Sequence, residues 1–249
     1  MSNVFLFEVW PYIAFTIFVV VGFYRYFNDR FSFSSQSSQF LENRLSFWGS
    51  TMWHYGIILI LIPHTLAFWF PKAWGVLISD QTRLYILEVI GLGLAVMAIV
   101  GLGILIVRRI VNVRANSVTS IMDWVLLAAL ALQVVMGFWV AYVYRWGSEW
   151  YLHTSVPWLQ SLATFNPQIQ YVTALPIPVK IHMLNAFMLL ALFPFTRLVH
   201  VVTLPLVYLA RPYQVVIWYR QRKEPYAAPP GVPVIGPDVP YLPPGVRIS

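Results

Sequence analysis

Four of the five histidines in this 249-residue chain fall inside or at the mouths of two apolar stretches. His54 and His64 lie in one, His182 and His200 in the other. An ionisable side chain in hydrocarbon is expensive, so it faces a bundle interior and marks a function there. Neutral imidazole is a good iron ligand, and two imidazoles per iron fill both axial positions. A haem held in this way moves electrons and has no open site for oxygen or substrate. Paired axial ligation of two haems is therefore the leading reading of the set. His153 falls in a loop with no partner at its depth, and its default is a solvated or interfacial side chain.

The elements that carry these residues are dictated by composition. With 59% hydrophobic and 10% charged residues and a mean hydropathy of +0.69, the chain has too little polar surface for a water-soluble domain. Cysteine is absent, which excludes thiolate-held iron–sulfur clusters, cysteine-ligated zinc, disulfides and covalent haem attachment in this chain. The net charge of +7 is concentrated beside apolar segments, where basic residues set orientation, so no nucleic-acid partner is expected. The first apolar segment contains Glu8 and Pro11, with no basic region before it and no cleavage site after it, and reads as a retained helix.

Hydropathy predicts five spans, at about 4–24, 48–70, 83–107, 121–143 and 181–207, each near the roughly 20 residues a crossing needs. The expected fold class is an all-α integral membrane bundle of five helices over 1–210, followed by a Pro-rich cytoplasmic tail over 211–249. Arg25, Arg30 and Arg44 follow span one, Arg108, Arg109 and Arg114 follow span three, and Arg211, Arg220, Arg222 and Lys223 occupy the tail. The other connections hold only Lys72 with Arg83, and Arg145 with Lys180. The positive-inside rule then puts the N-terminus outside and the C-terminus in the cytoplasm of a multi-pass plasma-membrane protein. The 144–180 stretch mixes Trp146, Trp150, Tyr151, Trp158 and Tyr171 with four prolines and reads as an outer loop with its rings at headgroup level.

Orientation sorts the histidines by depth. Antiparallel spans pair His64 with His182 near the outer face and His54 with His200 near the inner one. The spacings disagree, because 10 residues of helix rise about 15 Å and 18 residues about 27 Å. Two flat, parallel rungs cannot satisfy both, so the reading requires tilt and a kink at Pro194, with Pro63 a second candidate bend.

Trp10-Pro-Tyr-Ile-Ala14, the His54/His64 spacing and Leu192-Phe-Pro-Phe-Thr-Arg-Leu-Val-His200, continuing through Pro205-Leu-Val-Tyr-Leu209 to Tyr213 and Gln214, resemble the cytochrome b (gamma) subunit of respiratory nitrate reductases. The resemblance runs along most of the first 220 residues. It implies a five-helix membrane anchor with two non-covalent b haems that oxidises quinol. Electrons would pass to an iron–sulfur subunit and then to a molybdenum catalytic subunit, in anaerobic respiration or nitrate assimilation. Carried over by position, His64 and His182 would hold the outer haem, His54 and His200 the inner one, and Arg197 would meet a propionate. The chain departs from the family pattern at Pro63, where relatives have glycine, and at Arg83, where a lysine is usual nearby. The proline-rich tail has no counterpart.

Arg108, Arg109 and Arg114 are candidate propionate partners under this reading, and snorkelling, topology-setting residues under the plain one. Quinol oxidation releases two protons with two electrons, which calls for hydrogen-bonding groups and a path to water. Arg83 and Lys180 are candidates to hold a quinol oxygen, Glu88 and Asp80 to relay protons, and Pro63 to shape the pocket. Glu88 lies inside span three and is expected to face the bundle. Gly91, Gly93, Gly101 and Gly103 thin that span either for helix packing or to admit a macrocycle. Trp53, Tyr55, Phe68, Trp69 and Trp74 are packing or belt residues, with stacking on a quinone or haem as the other option. Two other functions remain open: the cytochrome b of a different quinone-linked oxidoreductase, and a haem-free anchor or transporter whose histidines bind a metal or relay protons.

Overall fold

A computed structural model describes residues 3–29, 32 and 44–202. Arg30, the end of the fifth expected span and the whole expected tail lie outside the described residues, which contain helices and turns and no strand. Five helices are long and apolar enough to cross a membrane: Phe5–Asn28, Arg44–Trp69, Gln81–Val111, Ile121–Val143 and Ile177–Phe195. Their most apolar windows are only 11–28% buried within the protein, so most of their side chains need a lipid-like solvent. This is a multi-pass membrane protein.

The first span opens as a wide π-helical turn, Phe5–Val9, and continues without a break into α1, Trp10–Asn28, so the N–H that Pro11 lacks is missing from a continuous ladder. α2 covers Arg44–Trp69 and runs through Pro63. A short α3, Pro71–Ile78, leads into α4, Gln81–Val111, which Asp80 caps by accepting from the Arg83 N–H. After the single turn of α5, Val113–Ser117, α6 spans Ile121–Val143. Its start is set by a capping box, in which Ser120 and Asp123 satisfy each other's backbone N–H.

The 144–180 stretch differs from the expected interfacial loop, for it folds into α7, Gly147–His153, α8, Ser155–Ala163, and α9, Gln170–Thr173. Trp146 and Tyr171 stay exposed, but Trp158 is only 1% exposed and belongs to the core. Its Nε1–H donates to the Phe7 carbonyl at 3.0 Å, and its ring packs edge-on against Phe7 and Phe187. Both the apolar and the polar part of the indole are thus satisfied inside the protein, and the headgroup layer has nothing further to offer it.

α10, Ile177–Leu192, begins the fifth span, and here the expected continuous helix to 207 is corrected. After Leu192 the chain makes a 3₁₀ turn, Phe193–Phe195, becomes extended at Thr196 (φ −119°, ψ −179°), and starts a second 3₁₀ turn, Arg197–Val201. Pro194 has no N–H for the ladder and its ring crowds the preceding turn. The freed carbonyls are taken up by a side chain: Arg25 at the end of α1 donates to Pro194 O at 2.6 Å and Thr196 O at 3.2 Å. The chain breaks at this point, where sequence reasoning expected only a kink, and the 27 Å helical separation of His182 from His200 no longer applies.

Neighbouring helices pack α2 on α4, α4 on α6, α6 on α10 and α10 on α1. α2 and α4 approach closely because Gly49, Gly56 and Gly101 lie in their contact; a Cβ on Gly101 would run into the Trp53 backbone nitrogen. Gly101 is therefore a helix-packing glycine, whereas Gly91, Gly93 and Gly103 have nothing within 4 Å of an added Cβ. Trp53 is buried in this layer with Ala98, Leu102, Leu127 and Val134. Trp74 is buried at the end of the bundle that carries the short helices, while Tyr55 and Trp69 are exposed.

Candidate functional site

The bundle has two ends, one built around the short helices α7–α9 and one around the break at Pro194. At the break end, the rings of His54 and His200 stand 6.1 Å apart between centres, with planes at 68°. His54 directs Nδ1 at the Ser50 carbonyl, 2.7 Å away, with Ser50 Oγ at 3.1 Å. His200 directs Nδ1 at the Arg197 carbonyl at 2.6 Å. At the other end, His64 Nδ1 lies 2.8 Å from Ile60 O, and His182 Nδ1 lies 3.1 Å from Gln133 O on α6. His64 and His182 lie within electrostatic range of each other.

One arrangement recurs four times. A carbonyl only accepts, so Nδ1 carries the proton in each ring and Nε2 keeps its lone pair. This is the tautomer of a histidine that ligates a metal through Nε2 while a second partner fixes the ring. His54 and His64 are exposed and His182 and His200 half-buried, so polar ring surface is presented at bundle depth. Among the described residues no group of three or more His, Asp or Glu side chains converges.

The surroundings of His182 include residues that sequence reasoning missed. Gly137 lets the ring lie against α6, since a Cβ there would sit 2.9 Å from His182 Cε1. The Gln133 amide nitrogen is 3.4 Å from His182 Nε2. Buried Asn185 donates to Gln133 Oε1 at 2.7 Å and to Ala129 O at 2.9 Å. Tyr151 of α7 packs on the His64 ring at 5.4 Å and donates to the His64 carbonyl at 3.4 Å. Burial pushes the Tyr151 phenol up to about 12, so it remains a donor at neutral pH.

Most of the candidate cations and carboxylates are engaged in contacts of the chain itself. Arg197 pairs with both oxygens of Asp123, Nε to Oδ1 at 2.9 Å and Nη2 to Oδ2 at 3.1 Å, and reaches Val118 O. Arg109 stands 3.8 Å from Asp123 Oδ2 and donates to Thr119 Oγ1. Arg108 is buried and Arg114 is exposed on α5. At the short-helix end, Arg83 is exposed and donates to Val76 O at 3.3 Å, beside its ion partner Asp80 at 4.0 Å. Glu88 faces the bundle and accepts from the Ser148 N–H at 3.0 Å. Lys180 donates to Thr173 O at 2.6 Å. The contacts of Arg83, Glu88 and Lys180 go to different partners, and none joins two of the three. Pro63 is half-buried in α2. His153 lines an open cleft of about 560 Å³ with Ser79, Gln81, Trp146 and Glu149, apart from the four paired histidines.

The family model of the nitrate reductase gamma subunit matches residues 3–219. The chain belongs to that family. It is 32% identical over 225 residues to the nitrate reductase gamma chain of Bacillus subtilis, covering 89% of this chain and all of that one. The respiratory nitrate reductase 1 gamma chain of Escherichia coli is 28% identical over 222 residues, covering 86% of this chain and 96% of its own. The nitrate reductase-like protein NarX of Mycobacterium tuberculosis is 31% identical over 226 residues, which are 86% of this chain but 33% of that protein. In this gamma-subunit family member, the missed residues had a signal in the sequence. Asp123 is the only acidic residue in α6, Gln133 the only amide there, and Asn185 the only amide in α10. The cost argument that singled out the histidines applies to each of them.

Proposed function

We propose that this gamma-subunit family member is the di-haem b-type membrane anchor of a nitrate reductase complex, with His54 and His200 holding one haem and His64 and His182 the other. The observation that carries the reading is the fourfold Nδ1–H to carbonyl arrangement, which leaves Nε2 as the ligating atom. The separation of the His54 and His200 ring centres, 6.1 Å, supports it as well. The two rings would thus be near enough to hold one group between them. Each haem b supplies one-electron redox chemistry when bound.

In this proposal the N-terminus is outside and the C-terminus in the cytoplasm, so the short helices lie at the outer face of the plasma membrane. Quinol is bound and oxidised at that end, beside His64 and His182. Arg83 and Lys180 orient a quinol oxygen, Pro63 shapes the wall next to His64, and Glu88 takes up a proton on its way to water. Tyr151, packed on His64, excludes water from the ring. At the opposite end, Arg108, Arg109, Arg114 and Arg197 supply the positive charge that propionates need. Electrons leave there for an iron–sulfur subunit and a molybdenum catalytic subunit, which dock on the basic connections and the tail over 211–249.

Purification with native partners tests the proposal. We expect molybdenum, iron–sulfur protein and a b-type α-band in the reduced-minus-oxidised spectrum; absence of that band refutes it. His64→Ala and His182→Ala should each remove the same spectral component and abolish quinol-driven nitrate reduction, while dye-driven reduction persists. Two haems retained in either variant refute the pairing.

A further inference from the structure

We propose that Asp123 is a positioning residue for His200, acting through Arg197. The two ends of one residue make the link. The Arg197 side chain is gripped by both oxygens of Asp123, at 2.9 and 3.1 Å, and the Arg197 backbone carbonyl holds the Nδ1–H of His200 at 2.6 Å. The carboxylate that fixes Arg197 on the first turn of α6 thus fixes the acceptor that orients the imidazole. The other three histidines have no need of such a device. The carbonyls that hold His54, His64 and His182 belong to the long helices α2 and α6, which are rigid by their own ladders. The acceptor of His200 belongs to a 3₁₀ turn that begins directly after the extended residue Thr196.

The carboxylate is built into this place. Asp123 is 5% exposed, and its backbone is held by the capping box with Ser120. Arg109 brings a second guanidinium to Oδ2 at 3.8 Å. A buried carboxylate shared by two arginines is costly to remove, because the cations lose their compensation. Asp123 therefore has a second effect on the same site. It is a fixed negative charge among Arg109 and Arg197, and its loss makes the surroundings of His200 more positive, which favours the reduced form of a nearby redox centre.

The inference rests on the reading of His200 as a haem ligand, and the experiment separates the two. The complex is purified from membranes as wild type, Asp123→Asn and Asp123→Glu, and its haems are followed by spectrum, potentiometric titration and the ferric electron-paramagnetic signal. The component lost in His200→Ala identifies the His54/His200 haem. In Asp123→Asn we expect that component alone to shift to a higher midpoint potential and its ferric signal to broaden, with the His64/His182 component unchanged. Asp123→Glu should bring back the narrow signal. If Asp123→Asn fails to accumulate, Arg197→Lys, which keeps the charge and loses the two-point grip, should broaden the same signal. An unchanged component in the variant that accumulates, or an equal shift of both, overturns the positioning role. A wild-type preparation without a b-type band overturns the haem reading itself.

Discussion

Gly137 is the described glycine whose added Cβ would meet a proposed ligand, and the structure says what one methyl group would do there. A Cβ on Gly137 falls 2.9 Å from His182 Cε1, 3.5 Å from Nδ1 and 3.6 Å from Nε2. Carbon atoms sit comfortably at about 3.5–4.0 Å, so the ring must retreat by about 0.6–1.1 Å. The His182 Nδ1 to Gln133 O bond, at 3.1 Å, is already near the long limit for N–H···O and does not survive that retreat. A functional constellation is held to within about 0.5 Å, which the displacement exceeds. Loss of an orienting partner costs about 10–100-fold in metal affinity, which sets the expected loss of outer-haem occupancy in Gly137→Ala. Haem-to-protein ratio, the reduced-minus-oxidised spectrum and the ratio of quinol-driven to dye-driven nitrate reduction are the measurements. One of two haems should be lost, with the quinol-to-dye ratio falling about tenfold or more. Gly22→Ala, where nothing lies within 4 Å, should behave as wild type. A Gly137→Ala complex with both haems and an unchanged ratio would refute the reasoning.

The added Cβ of Gly101→Ala meets the Trp53 backbone nitrogen and Gly49 O. Backbone cannot swing aside, so we expect a loss of about 3 kcal/mol or more, read as reduced accumulation and thermal stability; a complex of normal stability contradicts the close α2–α4 packing. Asn185→Leu strips Gln133 Oε1 of its donor and should destabilise by about 1 kcal/mol, the usual scale between membrane helices, visible as a lower melting temperature in detergent. No change would mean that the amides carry no stability. Tyr151 titrates about 12 when folded, against an ordinary 10.0. Its contribution is complete below the ordinary value and is lost as pH rises through the folded one. Between pH 10 and 12 the wild type should therefore lose stability that Tyr151→Phe retains, in parallel alkaline melts; identical slopes would exclude a buried phenol.

The five spans were legible because hydropathy and length are properties of each segment alone. Hydropathy put one span at about 121–143, and the helix runs Ile121–Val143. The fifth span was misjudged because its end depends on a distant side chain. Pro194 announces a disturbance, but the carbonyls at the break are taken by Arg25, from the first span. The burial of Trp158 had a similar origin, for its acceptor is the Phe7 carbonyl at the far end of the chain. At the candidate site the four histidines stood out by cost. Their acceptors did not, because all four are backbone carbonyls, three fixed by local helix or turn geometry and the fourth on another helix. The ion pair of Arg197 with Asp123 is half legible: an arginine inside a span calls for an anion, but the sequence does not say which helix supplies it.

Arg25 has one more consequence, which concerns time. α1 finds its main partner in α10, and Arg25 reaches the break that follows it. The first of the five spans is therefore the neighbour of the fifth. Until residues 177–196 have been made, α1 lacks its main helical partner, while α2, α4 and α6 can already assemble in order of synthesis. The bundle closes only when all five spans have been made, and the turn that carries His200 is fixed by the same event.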